Sequence, residues 1–219
     1  MKNNLFLSLA MIGALACSAH ADIIDVSGPL SSAGVSAAIV SAPADMRDDA
    51  AYNWAQQGFN EVQNFVLTQN IAVDDGMILA GTRINSHMIF LNSGANGESI
   101  RVTHNDVTWS FDGEVLGVMG DRNGELEALT NDLLGAEGTI YQDGKLKYRG
   151  LEGRDDYEVL GNQLTIDMTV TEPGDWVRVI TLAGDPMDGM TPNPEPGTIA
   201  LFGAALAAGW AVRRRRVKA

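Results

Sequence analysis

The residues able to do chemistry in this chain are carboxylates, three imidazoles, one of them (His20) near the N-terminus, and a few aromatic rings. Its one cysteine, Cys17, sits near the N-terminus, so the remainder of the chain has no thiolate nucleophile, cysteine metal ligand or internal disulfide. His87 and His104 lie 17 residues apart in mid-sequence. Paired imidazoles can bind a metal or shuttle protons, but this spacing matches no short ligand motif. A half-buried, hydrogen-bonded histidine is the simpler expectation at each position. The sequence contains no Gly-x-Ser-x-Gly elbow, phosphate loop or His-Glu-x-x-His, so serine hydrolysis, nucleotide binding and zinc proteolysis have no local support.

Carboxylates are abundant. A retaining glycosidase needs two of them about 5–5.5 Å apart, one kept protonated. Asp48-Asp49, Asp74-Asp75 and Asp155-Asp156 are sequence neighbours, and neighbours on a strand point to opposite faces. Solvated turns explain them better than catalytic pairs. Asp121, Asn123 and Glu125 offer oxygens at alternate positions of one turn, the kind of set a hard cation takes, which makes calcium the candidate ion. The glycine at 124 is out of place for an EF-hand, and an Asn-Gly turn accounts for the same residues. Trp54, Trp109 and Trp176, with Tyr52, Tyr141, Tyr148 and Tyr157, could form a sugar-stacking platform. Trp109 and Trp176 lie in strongly apolar segments, where core packing is the expectation.

The elements carrying these residues read as mostly β, a single sandwich or jelly-roll-like domain with one or two short helices. Short apolar segments alternate with Gly/Asn/Asp turns from Phe59 onward, the pattern of a sandwich. After a first strand within 22–43, strands are expected over 61–68, 77–80, 84–91, 99–103, 107–111, 115–119, 139–141, 164–171 and 176–182. Leu164 to Thr171 alternates strictly, so one face is buried and the other wet. Asp112-Gly113 signals a tight hairpin, and His104-Asn105-Asp106 a turn. Helices are expected over 44–58, from Met46, Ala50 and Trp54 at i, i+4, i+8, and over 125–134.

Both ends of the chain carry addresses. Lys2, the apolar run Leu5 to Ala16 and the small-x-small site Ala19-His20-Ala21 read as a secretory signal peptide over 1–21, removed before Asp22. Cys17 leaves with it; the competing lipoprotein reading of Cys17 is the poorer match. At the other end a linker over 185–193 leads to Pro194-Glu195-Pro196-Gly197, an apolar helix to Val212, and Arg213-Arg214-Arg215-Arg216. Arginines capping an apolar helix orient it with the basic end in the cytoplasm. Ile199 to Val212 is short against the roughly 20 residues of a comfortable span. Of 15 basic and 28 acidic residues, nine and 27 fall within 22–193, the domain with its linker, a formal net charge of −18. That repels nucleic acid and anionic lipid.

The tail closely resembles the PEP-CTERM sorting signal of exported bacterial proteins. The resemblance implies recognition by an exosortase, a membrane-embedded peptidase or transpeptidase cutting near Pro-Glu-Pro, and a host that makes extracellular polysaccharide. Within the 22–184 domain, stretches such as Gly81 to His87 and Gly174 to Thr181 loosely resemble exported domains of unassigned activity. The expected protein is therefore tethered briefly at the inner membrane and then sits on the surface or in the extracellular matrix. Its domain is expected to be non-catalytic, either structural, adhesive or glycan-binding. A secreted hydrolase acting on the polysaccharide is the alternative.

Overall fold

A computed structural model of the protein describes residues 22–94 and 100–184. In chain order its elements are β1 (Ile23–Ser27), β2 (Ala38–Ile39), β3 (Gln57–Asn60), β4 (Phe65–Val66), β5 (Ile71–Val73), β6 (Gly76–Ile78), β7 (Arg83–Leu91) and β8 (Val102–Phe111). Then come β9 (Val115–Met119), α1 (Glu125–Leu134), β10 (Asp156–Leu160), β11 (Gln163–Val170) and β12 (Asp175–Leu182). The protein is mostly β. One sheet runs β1-β8-β11-β10, the other β2-β3-β7-β12-β9 with β4 also on β7, and β5-β6 is a separate hairpin.

The two large sheets bury one apolar layer between them. Alternate residues of β7 and β12, such as Ile89, Leu91, Val177 and Val179, meet Val107, Trp109 and Phe111 of β8 and Leu164, Ile166, Met168 and Val170 of β11. Each such side chain contributes roughly 1.5–3 kcal/mol of burial. The opposite face of β7 and β12 is also covered. Met88, Phe90 and Trp176 pack on Met46 and Phe59, while Ile84 and Ile180 pack with Leu134 of α1 and the β5–β6 hairpin. A sheet buried on both faces explains why β12 shows no simple apolar–polar alternation; its buried Arg178 is the exception that needs partners.

Several expected boundaries move. The strand over 115–119 and the helix over 125–134 are found as expected. The strand expected over 61–68 shrinks to β4, and 139–141 forms only one bridge, Asp45 with Ile140. The strands β3 and β10 were not foreseen. His104-Asn105-Asp106 is no turn: β8 runs straight through it. Ile166 pairs with Val107 and Met168 with His104, leaving a bulge at which Asp106 adopts φ 56° and its N–H donates to Asp167 Oδ1 at 2.6 Å.

Asp112-Gly113 is likewise no hairpin. β8 and β9 belong to different sheets, so these residues carry the chain over the edge of the sandwich. A Cβ on Gly113 would lie 2.0 Å from the Leu182 carbonyl oxygen, which only glycine avoids. The helix expected over 44–58 also fails to form. Met46 and Asn53 are pinned apart, Met46 N–H on the Ile140 carbonyl and Asn53 N–H on the Asn92 carbonyl. Tertiary anchors thus override a helical spacing of apolar residues, and α1 is the single helix among the described residues.

Candidate functional site

Both histidines are structural. His87 is fully buried, donating from Nδ1 to Asn60 Oδ1 at 2.8 Å and facing Thr181 Oγ1 through Nε2 at 3.1 Å. Burial drives its pKa down to about 3, so it stays neutral. His104 Nδ1 accepts the Gln56 N–H at 3.0 Å, and its Nε2 donates to the Pro29 carbonyl at 2.9 Å. The Gln56 side chain closes the network, giving its amide N–H to the His104 and Ile166 carbonyls and accepting from Trp109 Nε1. Trp109 and Trp176 are both fully buried, as expected.

The helix-covered face of β12 holds a charged network that the sequence does not announce. Arg178, fully buried, donates to both oxygens of Glu61 at 2.7 and 2.8 Å. It also donates to Thr130 Oγ1 and the Glu127 carbonyl of α1, each at 2.7 Å. Glu61 further accepts from Ser86 Oγ and Tyr141 Oη. A second pair, Arg149 with Glu127 at 3.1 Å, has both side chains fully buried. Arg149 also lies 3.9 Å above the Trp176 ring and reaches the Met46 carbonyl at 3.4 Å. No substrate can reach such groups without unfolding the helix; their role is to fix α1 and the 44–56 segment on the sheet. The one available signal was opposite charges, Glu61 and Arg178, inside apolar stretches.

The acidic pairs separate into different roles. Asp48 and Asp49 meet Glu172, from the turn between β11 and β12, with carboxylate oxygens within 4.8 Å of one another. Desolvation, then the Asp48 and Asp49 charges, push Glu172 up to about 7, and burial with the Asp49 charge raises Asp48. A proton or a cation relieves that crowding. Asp155 accepts the Glu152 and Thr169 N–H groups, whereas Asp156 is exposed at the start of β10. Asp74-Asp75 forms the turn between β5 and β6. Asp121 takes the Glu125 and Leu126 N–H groups, each at 2.9 Å, satisfying orphan donors at the start of α1. Glu125 turns to Lys145 in an exposed ion pair. A cation at Asp121, Asn123 and Glu125 would therefore compete with the start of the helix.

Two surfaces expose aromatic groups. Tyr52 is 55 % exposed and Trp54 39 %. They flank Asn53, whose buried side chain is held by the Phe90 carbonyl and the Asn92 N–H, so alternate residues project outward. The second surface is a half-open cavity of about 250 Å³ between the edge strand β10 and the β5–β6 hairpin on β9, with the Tyr157 side chain in its wall.

The residues expected to carry processing lie outside the described ones: the cleavage-site alanines Ala19 and Ala21, and Pro194, Glu195, Pro196, Gly197 and Arg213 to Arg216. The leader, linker and membrane helix do so as well. Comparison with known families matches residues 194–216 to the PEP-CTERM protein-sorting motif. The chain thus carries the sorting signal of exported, exosortase-handled proteins. No curated protein and no solved structure matches it.

Proposed function

We propose that this protein is a component of the cell surface or extracellular matrix, tethered by its C-terminal helix until exosortase acts near Pro194 to Gly197. Its 22–184 domain is non-catalytic and holds extracellular polysaccharide as a structural or adhesive element. The observation carrying this reading is the sorting motif over residues 194–216. The chemistry of the domain supports it: its two histidines are committed to internal hydrogen bonds, while Tyr52, Trp54 and Tyr157 offer rings at the surface. Tyrosine and tryptophan give apolar area together with a polar handle, which suits a wet ligand. Calcium is not needed for this reading, and the strong negative charge disfavours nucleic acid as a partner. The deciding experiment is the intact mass of the protein recovered from its own cells. A chain starting at Asp22 and ending between Pro194 and Gly197 supports export, tethering and release; retention of Ala219 overturns processing.

The Asp48–Glu172 contact favours a second reading, a hydrolase. One carboxyl protonated beside one ionised is the arrangement of an acid–base pair. Incubating the protein with neutral and acidic polysaccharides and assaying new reducing ends separates the two readings. Release that disappears in Glu172→Gln would establish the hydrolase.

A further inference from the structure

The cavity beside β10 has a composition that selects its occupant. Its walls are Val73, Val115 and Val159, with Met77 and the Tyr157 ring, and its rim carries Asp75. None of the residues lining it is basic. Asp74, behind Tyr157, accepts the Tyr157 hydroxyl at 3.2 Å and the Gly120 N–H at 2.9 Å on the same oxygen, which fixes the angle of the ring. Gly117 lets the hairpin seat closely on β9, since a Cβ there would meet Val73 side-chain carbons at 2.7–2.9 Å. On its open side β10 is the terminal strand of its sheet, so its outer backbone groups have no neighbouring strand. Tyr157 N–H is taken by Asp156 Oδ1 at 2.9 Å; alternation aims the Val159 N–H the same way.

A ligand for this place needs an apolar face for the valines, methionine and tyrosine, and several hydroxyl donors for carboxylate acceptors. It must tolerate one main-chain donor and carry no negative charge. An anionic glycan would put its carboxylates or sulfates against Asp74 and Asp75 with no cation in the lining to pair them, a repulsion that low-dielectric walls strengthen. An extended peptide would compete with Asp156 for the edge of β10, which that carboxylate and Glu158 guard as charged edge residues do. We infer that the groove between β10 and the β5–β6 hairpin binds a single neutral hexose unit of a polysaccharide, its apolar face against Tyr157 and Met77 and its hydroxyls on Asp75 and the edge of β10. The inference rests on the polysaccharide-holding reading above and assigns it a place.

The test is titration of the full chain, in a detergent without a sugar headgroup, with maltohexaose, cellohexaose and mannohexaose, and with polygalacturonate as the anionic comparison. At least one neutral oligosaccharide is expected to bind, with polygalacturonate at least tenfold weaker. Tyr157→Ala and Met77→Glu should each weaken binding about tenfold; Met77 is 58 % exposed, so its replacement leaves the fold intact. Leu129→Ala, on the exposed side of α1, should leave the affinity unchanged, and Tyr52→Ala with Trp54→Ala probes the other aromatic surface. Binding that ignores Tyr157 and Met77 but falls with Tyr52 and Trp54 overturns the groove and leaves the polysaccharide reading standing. Preference for polygalacturonate, or for a cationic peptide, overturns the neutral hexose. No binding of any glycan overturns both.

Discussion

The two faces of strand β12 solve the same burial problem by opposite means. Toward the other sheet, Val177 and Val179 enter a layer that is almost wholly aliphatic and aromatic. Toward α1, Trp176 and Ile180 flank Arg178, and two buried ion pairs fill the space between sheet and helix. The aliphatic layer requires only volume and pattern, and it tolerates moderate repacking. The charged layer requires particular partners, because a buried charge that loses its partner keeps the full cost of desolvation. Specificity for one position of α1 therefore resides in the helix-side face, and most of the area-driven stability in the other.

The strongest way to break this contrast is Arg178→Met. It strands Glu61 together with the Glu127 carbonyl, Thr130 Oγ1 and Asn131 Oδ1, and about 3–5 kcal/mol of stability should be lost in denaturant unfolding. The double variant Glu61→Gln with Arg178→Met should lose clearly less; an equal loss would mean the pair acts by packing alone. In the aliphatic layer Ile89→Ala should cost about 3 kcal/mol, with no rescue available from any charge partner. Acid sharpens the contrast next. His87 lies on the inter-sheet side, 4.9 Å from the Phe111 ring, with a folded pKa held near 3 by burial. The unfolded chain takes up that proton first, so stability should fall as pH drops below about 6.5, by about 1.4 kcal/mol per pH unit while His87 stays neutral. Calorimetry of Glu172→Gln, which removes the opposing carboxyl, at pH 7.5 and 5 should show the loss, and an NMR signal assigned to the His87 imidazole and titrating near pH 6.5 would refute it.

At the start of α1, Asp121→Ala should cost about 1 kcal/mol by freeing two backbone N–H groups. The smallest effect belongs to Glu172, on the surface beside Asp48. Its folded pKa is raised from 4.5 to about 7, so the folded state binds the extra proton. Its contribution is greatest below pH 4.5 and is lost as pH rises through 7. Glu172→Gln should flatten that part of the profile, opposite in sign to the His87 term.

Where local pattern and tertiary role coincide, the fold was legible. The alternation of Leu164 to Val170 is the buried face of β11, and Leu126, Leu129 and Leu133 mark α1, although Leu129 itself is 75 % exposed. Strand β10 escaped notice because an edge strand needs few apolar residues, and Asp156-Tyr157-Glu158 reads as polar loop. Met46, Ala50 and Trp54 mimicked a helix by their spacing, whereas the anchors at Met46 and Asn53 hold the segment on a non-helical path. The partners Glu61 and Arg178 stand 117 residues apart, and no local window joins them. The candidate surfaces were legible only as a stock of aromatics: burial sorted Trp109 and Trp176 into the core and left Tyr52, Trp54 and Tyr157 outside. The sorting motif over 194–216, by contrast, was readable in full, since such a motif is a pattern of linear order.

Strand β12 ends at Leu182, two residues before Gly184, and it is bonded on both sides, to β7 along its whole length and to β9. In the tethered form proposed above, a drag on the domain enters through that strand. Its hydrogen bonds lie across the strand axis, so under a pull along that axis neither ladder can be unzipped one bond at a time; both must shear together. A tether attached there would hold the domain by a strand bonded on both sides, and a pull along that strand would load both ladders at once.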